Sequence, residues 1–209
     1  MANGINRVAV FSSAQRLTHW LIAAGVSFQL ISAFLIRHSD LDVLLWADWH
    51  IMIGQALILP LVFRVYLLFR PGSGHWRLLI PTREQRHIVL QTLKFYASLG
   101  RLPCPDWYAF NPVWQPLYLL MIFIMLITVA TGFISGQSLA LSDVHVLLAR
   151  VIQYFILAHI AFVVLHDIKG HGAQISAMLN GYKYFHIKDV PQPREGNSVS
   201  LDSLVKKRP

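Results

Sequence analysis

Four long apolar stretches constrain the fold of this chain more than any other feature of its sequence. Each has about 20 residues or more, which is enough to cross roughly 30 Å of hydrocarbon as a helix. The runs are long and do not alternate between apolar and polar residues, so helices are expected rather than strands. They cover approximately residues 13–36, 49–69, 113–135 and 144–166. The sequence therefore predicts an all-α integral membrane protein built on a bundle of four transmembrane helices.

Composition supports a membrane protein and limits the kinds of site it can hold. Only 13% of the 209 residues are charged, whereas a soluble domain carries about 25%. The single cysteine, Cys104, excludes an intrachain disulfide and any cysteine-ligated zinc or iron–sulfur site within this chain. The first apolar stretch is too long for a signal-peptide core, so we expect it to remain as a helix. We expect one membrane domain over residues 1–190 and a polar tail over residues 191–209.

The distribution of lysine and arginine predicts the orientation of the helices. These residues concentrate before the first stretch, between the second and third, and after the fourth, while the two short connections hold Arg37 and four aspartates. Because positive charge favours the cytoplasmic side, both termini and the long middle loop are predicted to be cytoplasmic. The net charge of +8 thus needs no nucleic-acid partner. Within the loop, residues 82–100 carry Val89, Leu93 and Tyr96 at helical spacing, which predicts an amphipathic helix on the membrane surface.

Histidines within the apolar stretches are the candidate functional residues. At 1.5 Å per residue, His19 lies about 25 Å below the outer end of its helix and His159 about 22 Å below its own. His50 and His145 both lie in the first turn from the outer end of their helices. His166 would lie about 33 Å below the outer end of its helix, at the cytoplasmic boundary. Five histidines fall in loops or surface segments and are given no role: His38, His75, His87, His171 and His186.

The depths predict two opposed pairs, His50 with His145 outside and His19 with His159 inside. Two imidazoles on opposite sides of an iron suit a six-coordinate haem, which carries electrons because no coordination position is open to a substrate. Two other interpretations stay open at this point. Histidines can hydrogen-bond between membrane helices, or relay protons in a small transporter. The scarcity of acidic residues within the stretches and the absence of an inverted repeat argue against a transporter.

Two arginines and three glycines within the stretches complete the candidates. Arg64 is expected to snorkel from the far end of the second helix. Arg150 lies about 140° around its helix from His145 and is not expected to face the same ligand. Gly25, Gly54 and Gly132 admit the close approach of a neighbouring helix or a flat macrocycle, and helix packing is the commoner reason.

Several segments together resemble the cytochrome b subunit of membrane-bound nickel–iron hydrogenases, within the wider group of four-helix diheme b-type cytochromes. The segments are "RLTHW", "HIMIGQALILPLVFRVY", "FNPVWQPLYLLMIFIMLITVATGF", "DVH" and "HIAFVVLHDIKGHGAQISAMLNGYKYF". They cover most of residues 16–185. Relatives often have a histidine before the third helix where this chain has Phe110. The resemblance places the family's haem ligands on His19, His50, His145 and His159, and gives His166 no ligand role.

The resemblance also implies a function. It predicts two haem b groups and electron transfer from an iron–sulfur-containing periplasmic subunit, such as the hydrogenase small subunit, to a quinone near the inner haem. The expected location is the bacterial inner membrane, in contact with lipid. Alternatives are a related cytochrome b that serves another respiratory oxidoreductase or oxidises quinol, and a non-haem transporter or scaffold subunit. With one cysteine, the chain itself is not expected to activate hydrogen.

Overall fold

A computed structural model describes residues 5–38, 42–105, 107, 109–169 and 174–186. Within these ranges the four predicted membrane spans are confirmed as helical segments, Ser13–His38, Val43–Phe69, Gln115–Ile134 and Leu139–Lys169. The predicted tail, residues 191–209, lies outside the described residues. The elements are β1 (Ile5–Ala9), α1 (Ser13–His38), α2 (Val43–Ala56), α3 (Ile58–Phe69), α4 (Arg86–Ala97), α5 (Gln115–Ile134), α6 (Leu139–Lys169), α7 (Gln174–Asn180) and β2 (Tyr182–His186).

The second span consists of two helices, α2 and α3, which meet at Leu57. The break has a local cause in Pro60, because a proline ring clashes with the carbonyl of the residue four positions earlier, here Ala56. Leu57 and Leu61 nevertheless donate backbone hydrogen bonds to the residues four positions before them, at 3.0 and 3.2 Å. Helical backbone hydrogen bonds therefore continue on both sides of the break. This span starts six residues, and the fourth five residues, before the predicted start.

The amphipathic loop helix is present as α4, but of the residues predicted for its apolar face only Tyr96 is buried. Thr92, Phe95 and Tyr96 are buried, whereas Leu93 is 47% exposed. Phe95 and Tyr96 pack with Trp114 at the start of α5 and with aromatic residues of α6. The helix thus packs against the bundle through its aromatic residues.

A two-stranded antiparallel sheet, not predicted from the sequence, joins the chain before α1 to the chain after α7. β1 and β2 pair in a register that sets Ile5 opposite His186 and Ala9 opposite Tyr182. Gly181 precedes β2 with φ of +89°, and a Cβ there would lie 2.8 Å from the Phe11 carbonyl oxygen, so glycine is required. Trp20 of α1 donates from Nε1 to the Met178 carbonyl at 3.0 Å. The sheet and α7 therefore connect the start of α1 to the segment that follows α6.

Candidate functional site

The structure brings the four histidines chosen from the sequence together as two pairs. The rings of His50 on α2 and His145 on α6 have centroids 6.4 Å apart, with their planes at 78°. The rings of His19 on α1 and His159 on α6 also have centroids 6.4 Å apart, with their planes at 64°. We call these the outer pair and the inner pair. Among the described residues, no group of three or more His, Cys, Asp or Glu could hold a metal ion.

Hydrogen bonds fix the tautomer of both rings of the outer pair. His145 Nδ1 lies 2.9 Å from the Thr128 carbonyl oxygen, which can only accept, so Nδ1 carries the proton. His50 Nδ1 lies 2.8 Å from Ser32 Oγ, whose own proton is donated to the Gln29 carbonyl. The Ser32 oxygen therefore accepts from His50 Nδ1. In both rings the unprotonated nitrogen is Nε2, the form in which an imidazole binds a metal.

A glycine on α5 allows His145 to lie close against that helix. A Cβ built on Gly132 would lie 3.1 Å from His145 Cε1 and 3.4 Å from Nδ1. The same contact lets Nδ1 reach the Thr128 carbonyl one turn earlier on α5. Gly132 thus belongs to the site, as well as to helix packing.

Aromatic side chains surround the inner pair. Phe155, one turn before His159 on α6, stacks on the His159 ring with an interplanar angle of 7° and a centroid distance of 6.0 Å. Trp114, directly before α5, and Tyr118 of α5 contact the same imidazole with ring centroids 5.8 and 5.9 Å away. The Trp20 ring contacts His19 with a centroid distance of 5.4 Å. Neither imidazole of the inner pair makes a side-chain hydrogen bond within the described part of the chain. The two pairs therefore have different surroundings: hydrogen-bonded outside, aromatic inside.

The spacing of each pair fits two ligands of one metal ion. With metal–nitrogen bonds of about 2.0 Å and imidazole rings of roughly 1.1 Å radius, two imidazoles on opposite sides of a metal have ring centres about 6 Å apart. Both pairs match this separation. The available Nε2 lone pairs of the outer pair and the close approach permitted by Gly132 also suit a bis-imidazole haem iron.

A layer of apolar side chains lies between the two pairs. It consists of Val26, Leu57 and Ile152, which form one buried cluster. Each of the three follows a histidine of the site by seven residues, and seven residues are two helical turns, so the layer occupies the depth midway between the pairs. The partly buried Ile22, Leu30, Ile124, Met125 and Ile156 pack around it. We call this the apolar layer.

The long middle loop, which contains α4, reaches the inner pair through Tyr96 and Trp114. The Tyr96 hydroxyl oxygen accepts hydrogen bonds from Trp114 Nε1 at 2.9 Å and from Asn111 Nδ2 at 2.6 Å. Burial raises the pKa of Tyr96 to about 12, against a smaller opposing effect of the two hydrogen bonds, so the phenol stays protonated at neutral pH. Trp114 in turn contacts His159. The loop is therefore packed directly onto the aromatic surroundings of the inner pair.

His166 does not join either pair, but it is more enclosed than a boundary residue was expected to be. It is 4% exposed and packs against Phe95, Tyr96 and Trp107, with ring centroids 4.8–5.3 Å away. Its Nδ1 donates to the Phe162 carbonyl at 3.0 Å. The loop covers it, which the depth of His166 along α6 did not indicate.

The two arginines of the spans differ in their surroundings. The snorkelling predicted for Arg64 is incomplete, because one of its terminal nitrogens is fully buried without a hydrogen-bond partner. Arg150 is exposed and lines a cavity with Arg37 and Asp143, away from His159 along α6.

The sequence analysis missed the groups that orient the outer pair. Ser32 carried a usable signal, since it is a small polar residue near the outer end of an apolar helix, at the depth of His50. The Thr128 carbonyl carried no such signal, because every residue has a backbone carbonyl. Thr131 also approaches His145 Nδ1, at 3.4 Å, while donating to carbonyls of its own helix.

Comparison with known families gives one match that covers most of the chain. A family model described as prokaryotic cytochrome b561 matches residues 10–181. The matched range includes both histidine pairs, the apolar layer and the loop. No curated protein and no solved structure matches the chain.

Proposed function

The chain belongs to the prokaryotic cytochrome b561 family, and from this premise we propose that it binds one haem b between His50 and His145 and another between His19 and His159. The family binds haem b, and the chain is accordingly a multi-pass membrane cytochrome b of electron transfer. A haem held by two imidazoles exchanges single electrons and has no open position for a substrate. Membership of a haem-binding family argues against the non-haem transporter or scaffold interpretation.

The observation that carries the diheme proposal is the repetition of the same pair geometry at two depths. Both pairs have a centroid separation of 6.4 Å. His145 and His159 are about four helical turns apart on α6, so their backbones lie about 21 Å apart along the helix. One helix thus supplies a ligand to each pair, and α1 and α2 supply the opposite ligands.

Haem content and optical spectra of the purified protein test the proposal. We expect two haem b per chain and a reduced-minus-oxidised spectrum of low-spin, six-coordinate iron. One haem per chain, or a high-spin spectrum with an open coordination position, would contradict it.

We further propose that electrons enter near the outer pair from a periplasmic iron–sulfur subunit and leave near the inner pair to a quinone. The aromatic residues around His19 and His159 support an apolar head-group site there, because aromatic rings suit the binding of a flat apolar ring. The resemblance favours a nickel–iron hydrogenase as the electron donor. A different respiratory oxidoreductase, or quinol oxidation in the reverse direction, is the alternative.

Experiments on native bacterial membranes that contain the protein can distinguish between these electron donors. We expect hydrogen gas to reduce the b haems, and an added short-chain quinone to reoxidise them. Reduction by formate or another substrate, with no response to hydrogen, would favour the alternative donor. Reduction by quinol alone would indicate the reverse direction of transfer. The His145→Ala protein serves as the control, since it lacks the proposed entry site for a periplasmic donor but keeps the inner pair, where electrons from quinol would enter.

The Ser32→Ala substitution should weaken binding of the outer haem without changing the inner one. Losing the acceptor of His50 Nδ1 frees the imidazole to rotate or change tautomer, and loss of such a partner typically lowers metal affinity about 10–100-fold. The measurement is the rate of haem transfer from the protein to excess apomyoglobin, which should become faster for one haem only.

Ser27→Ala is the matched control for this substitution. It makes the same change on the same helix at an exposed position, and its rates of haem loss should equal those of the wild type. Equal rates for Ser32→Ala and Ser27→Ala would show that the Ser32 hydroxyl does not support the ligand.

A further inference from the structure

Arg64 is a partly buried charge without a counter-charge among the described residues. Its guanidinium has one terminal nitrogen that is fully buried and makes no hydrogen bond. Isolated charges within a membrane-spanning bundle are costly and are found paired with an opposite charge or acceptor. An arginine at this position therefore indicates an anionic ligand.

The depth of Arg64 matches that of the inner pair. Arg64 follows His50 at the same sequence separation as His159 follows His145. The second span thus carries an arginine at the depth where α6 carries its inner ligand. The guanidinium lies close enough to both His19 and Tyr118 for an electrostatic interaction, and the Tyr118 ring contacts the His159 ring with centroids 5.9 Å apart. Arg64 therefore lies beside the inner pair.

The carboxylates of the described chain do not neutralise Arg64. None of them lies within ion-pair distance of Arg64 in the described residues. Asp143 belongs to the first turns of α6, at the opposite end of the bundle. Asp167 accepts hydrogen bonds from the backbone nitrogens of Gln174 and Ile175, at 2.7 and 3.1 Å. The counter-anion is thus expected from a bound group.

We propose that Arg64 binds a propionate carboxylate of the haem held by His19 and His159 and makes that haem easier to reduce. A planar guanidinium recognises a carboxylate through two parallel hydrogen bonds, which a lysine ammonium does not reproduce. Reduction lowers the charge of the iron by one unit, so a positive charge nearby favours the reduced form. The outer pair has only neutral partners, namely the Ser32 hydroxyl and the Thr128 carbonyl. The effect is therefore confined to one haem.

The test compares the two haems separately by redox titration of the purified holoprotein. This inference rests on the proposed diheme function. The His145→Ala background keeps only the inner haem, so the reduction potential measured there is that of the inner haem alone. In that background Arg64→Gln should shift the reduction equilibrium at least about tenfold towards the oxidised form, a fall of about 59 mV for one electron. In the His19→Ala background, which keeps only the outer haem, the same substitution should leave the potential unchanged.

Arg70→Gln is the matched control, since it removes the same charge from an exposed position at the end of α3. Its inner-haem potential should equal that of the wild type. Arg64→Lys keeps the charge and should retain most of the potential, while losing the inner haem to apomyoglobin faster. Should Arg64→Gln release the inner haem alone, the anchoring role is supported, and slower loss of that haem from Arg64→Lys than from Arg64→Gln would show that the positive charge contributes to it.

Unchanged potentials in both Arg64→Gln and Arg64→Lys, with unchanged haem retention, would overturn the inference. A wild-type protein without two haems would instead contradict the proposed function on which it rests. Equal shifts of both haems would also overturn it, since they would indicate a general change of the bundle rather than a local carboxylate contact.

Discussion

The His145→Ala protein should retain one haem b per chain, about half of the wild-type content. His145 is the proposed α6 ligand of the outer haem, and its Nδ1 donates to the Thr128 carbonyl on α5. Without it, His50 faces no second imidazole and the outer haem loses an axial ligand. The inner pair, about 21 Å away along α6, keeps both of its own. Haem quantification and the reduced-minus-oxidised spectrum measure the loss.

His166 provides the matched control on the same helix. His166→Ala should keep both haems, because its ring contacts Phe95, Tyr96 and Trp107 rather than a second imidazole. If the cavity left by alanine prevents folding, His166→Phe keeps an aromatic ring in that packing and should also bind two haems. Loss of one haem in His166→Phe, with full content in His145→Ala, would overturn the ligand assignment.

The His19→Ala protein should bind the outer haem alone and lose the transfer of electrons to a quinone. The remaining pair can still be reduced from the outer side, but electrons then have no carrier over the following distance of about 21 Å along the bundle. Quinone reduction should therefore fall at least about tenfold, which corresponds to about 1.36 kcal/mol or more in the barrier. Stopped-flow reduction of the haem and steady-state quinone reduction measure the two steps separately.

His38→Ala, on the exposed end of α1, is the control for this second substitution. It should leave haem content and quinone reduction unchanged. His159→Ala should give the same phenotype as His19→Ala, since the two rings form one pair. Normal quinone reduction in His19→Ala would place the exit of electrons elsewhere and contradict the proposed route.

The spans and the histidine pairs could be predicted because both depend on simple distances along a helix. A run of about 20 apolar residues has one stable structure in a bilayer, and depth follows from the rise per residue. His19 and His159 lie in the first and last spans of the sequence, yet their depths from the outer helix ends agree closely enough to pair them. The loop helix also follows from periodicity, although of the residues predicted for its apolar face only Tyr96 is buried.

The remaining features depend on tertiary contacts that periodicity does not carry. β1 and β2 are five-residue strands, separated by most of the chain, and their pairing depends on the tight turn at Gly181. The partner of His145 is a backbone carbonyl, which has no sequence signal. Arg64 was interpreted from its place near the end of a helix, but the neighbouring helices enclose part of its guanidinium. Predicting each of these features requires knowing which segments of the folded chain pack against each other.

The apolar layer gives the proposed electron route an electrical consequence. Val26, Leu57 and Ile152 offer no side-chain hydrogen-bonding groups, so an electron passes this depth without an accompanying proton. The transfer therefore moves net charge across about 21 Å of the roughly 30 Å of hydrocarbon. Work against the membrane potential is about 2.3 kcal/mol per 100 mV for a full crossing, hence roughly 1.6 kcal/mol for this fraction. On the proposed route, the positive charge of Arg64 lies on the side where it offsets that work, and transfer between the two pairs would depend on the membrane voltage.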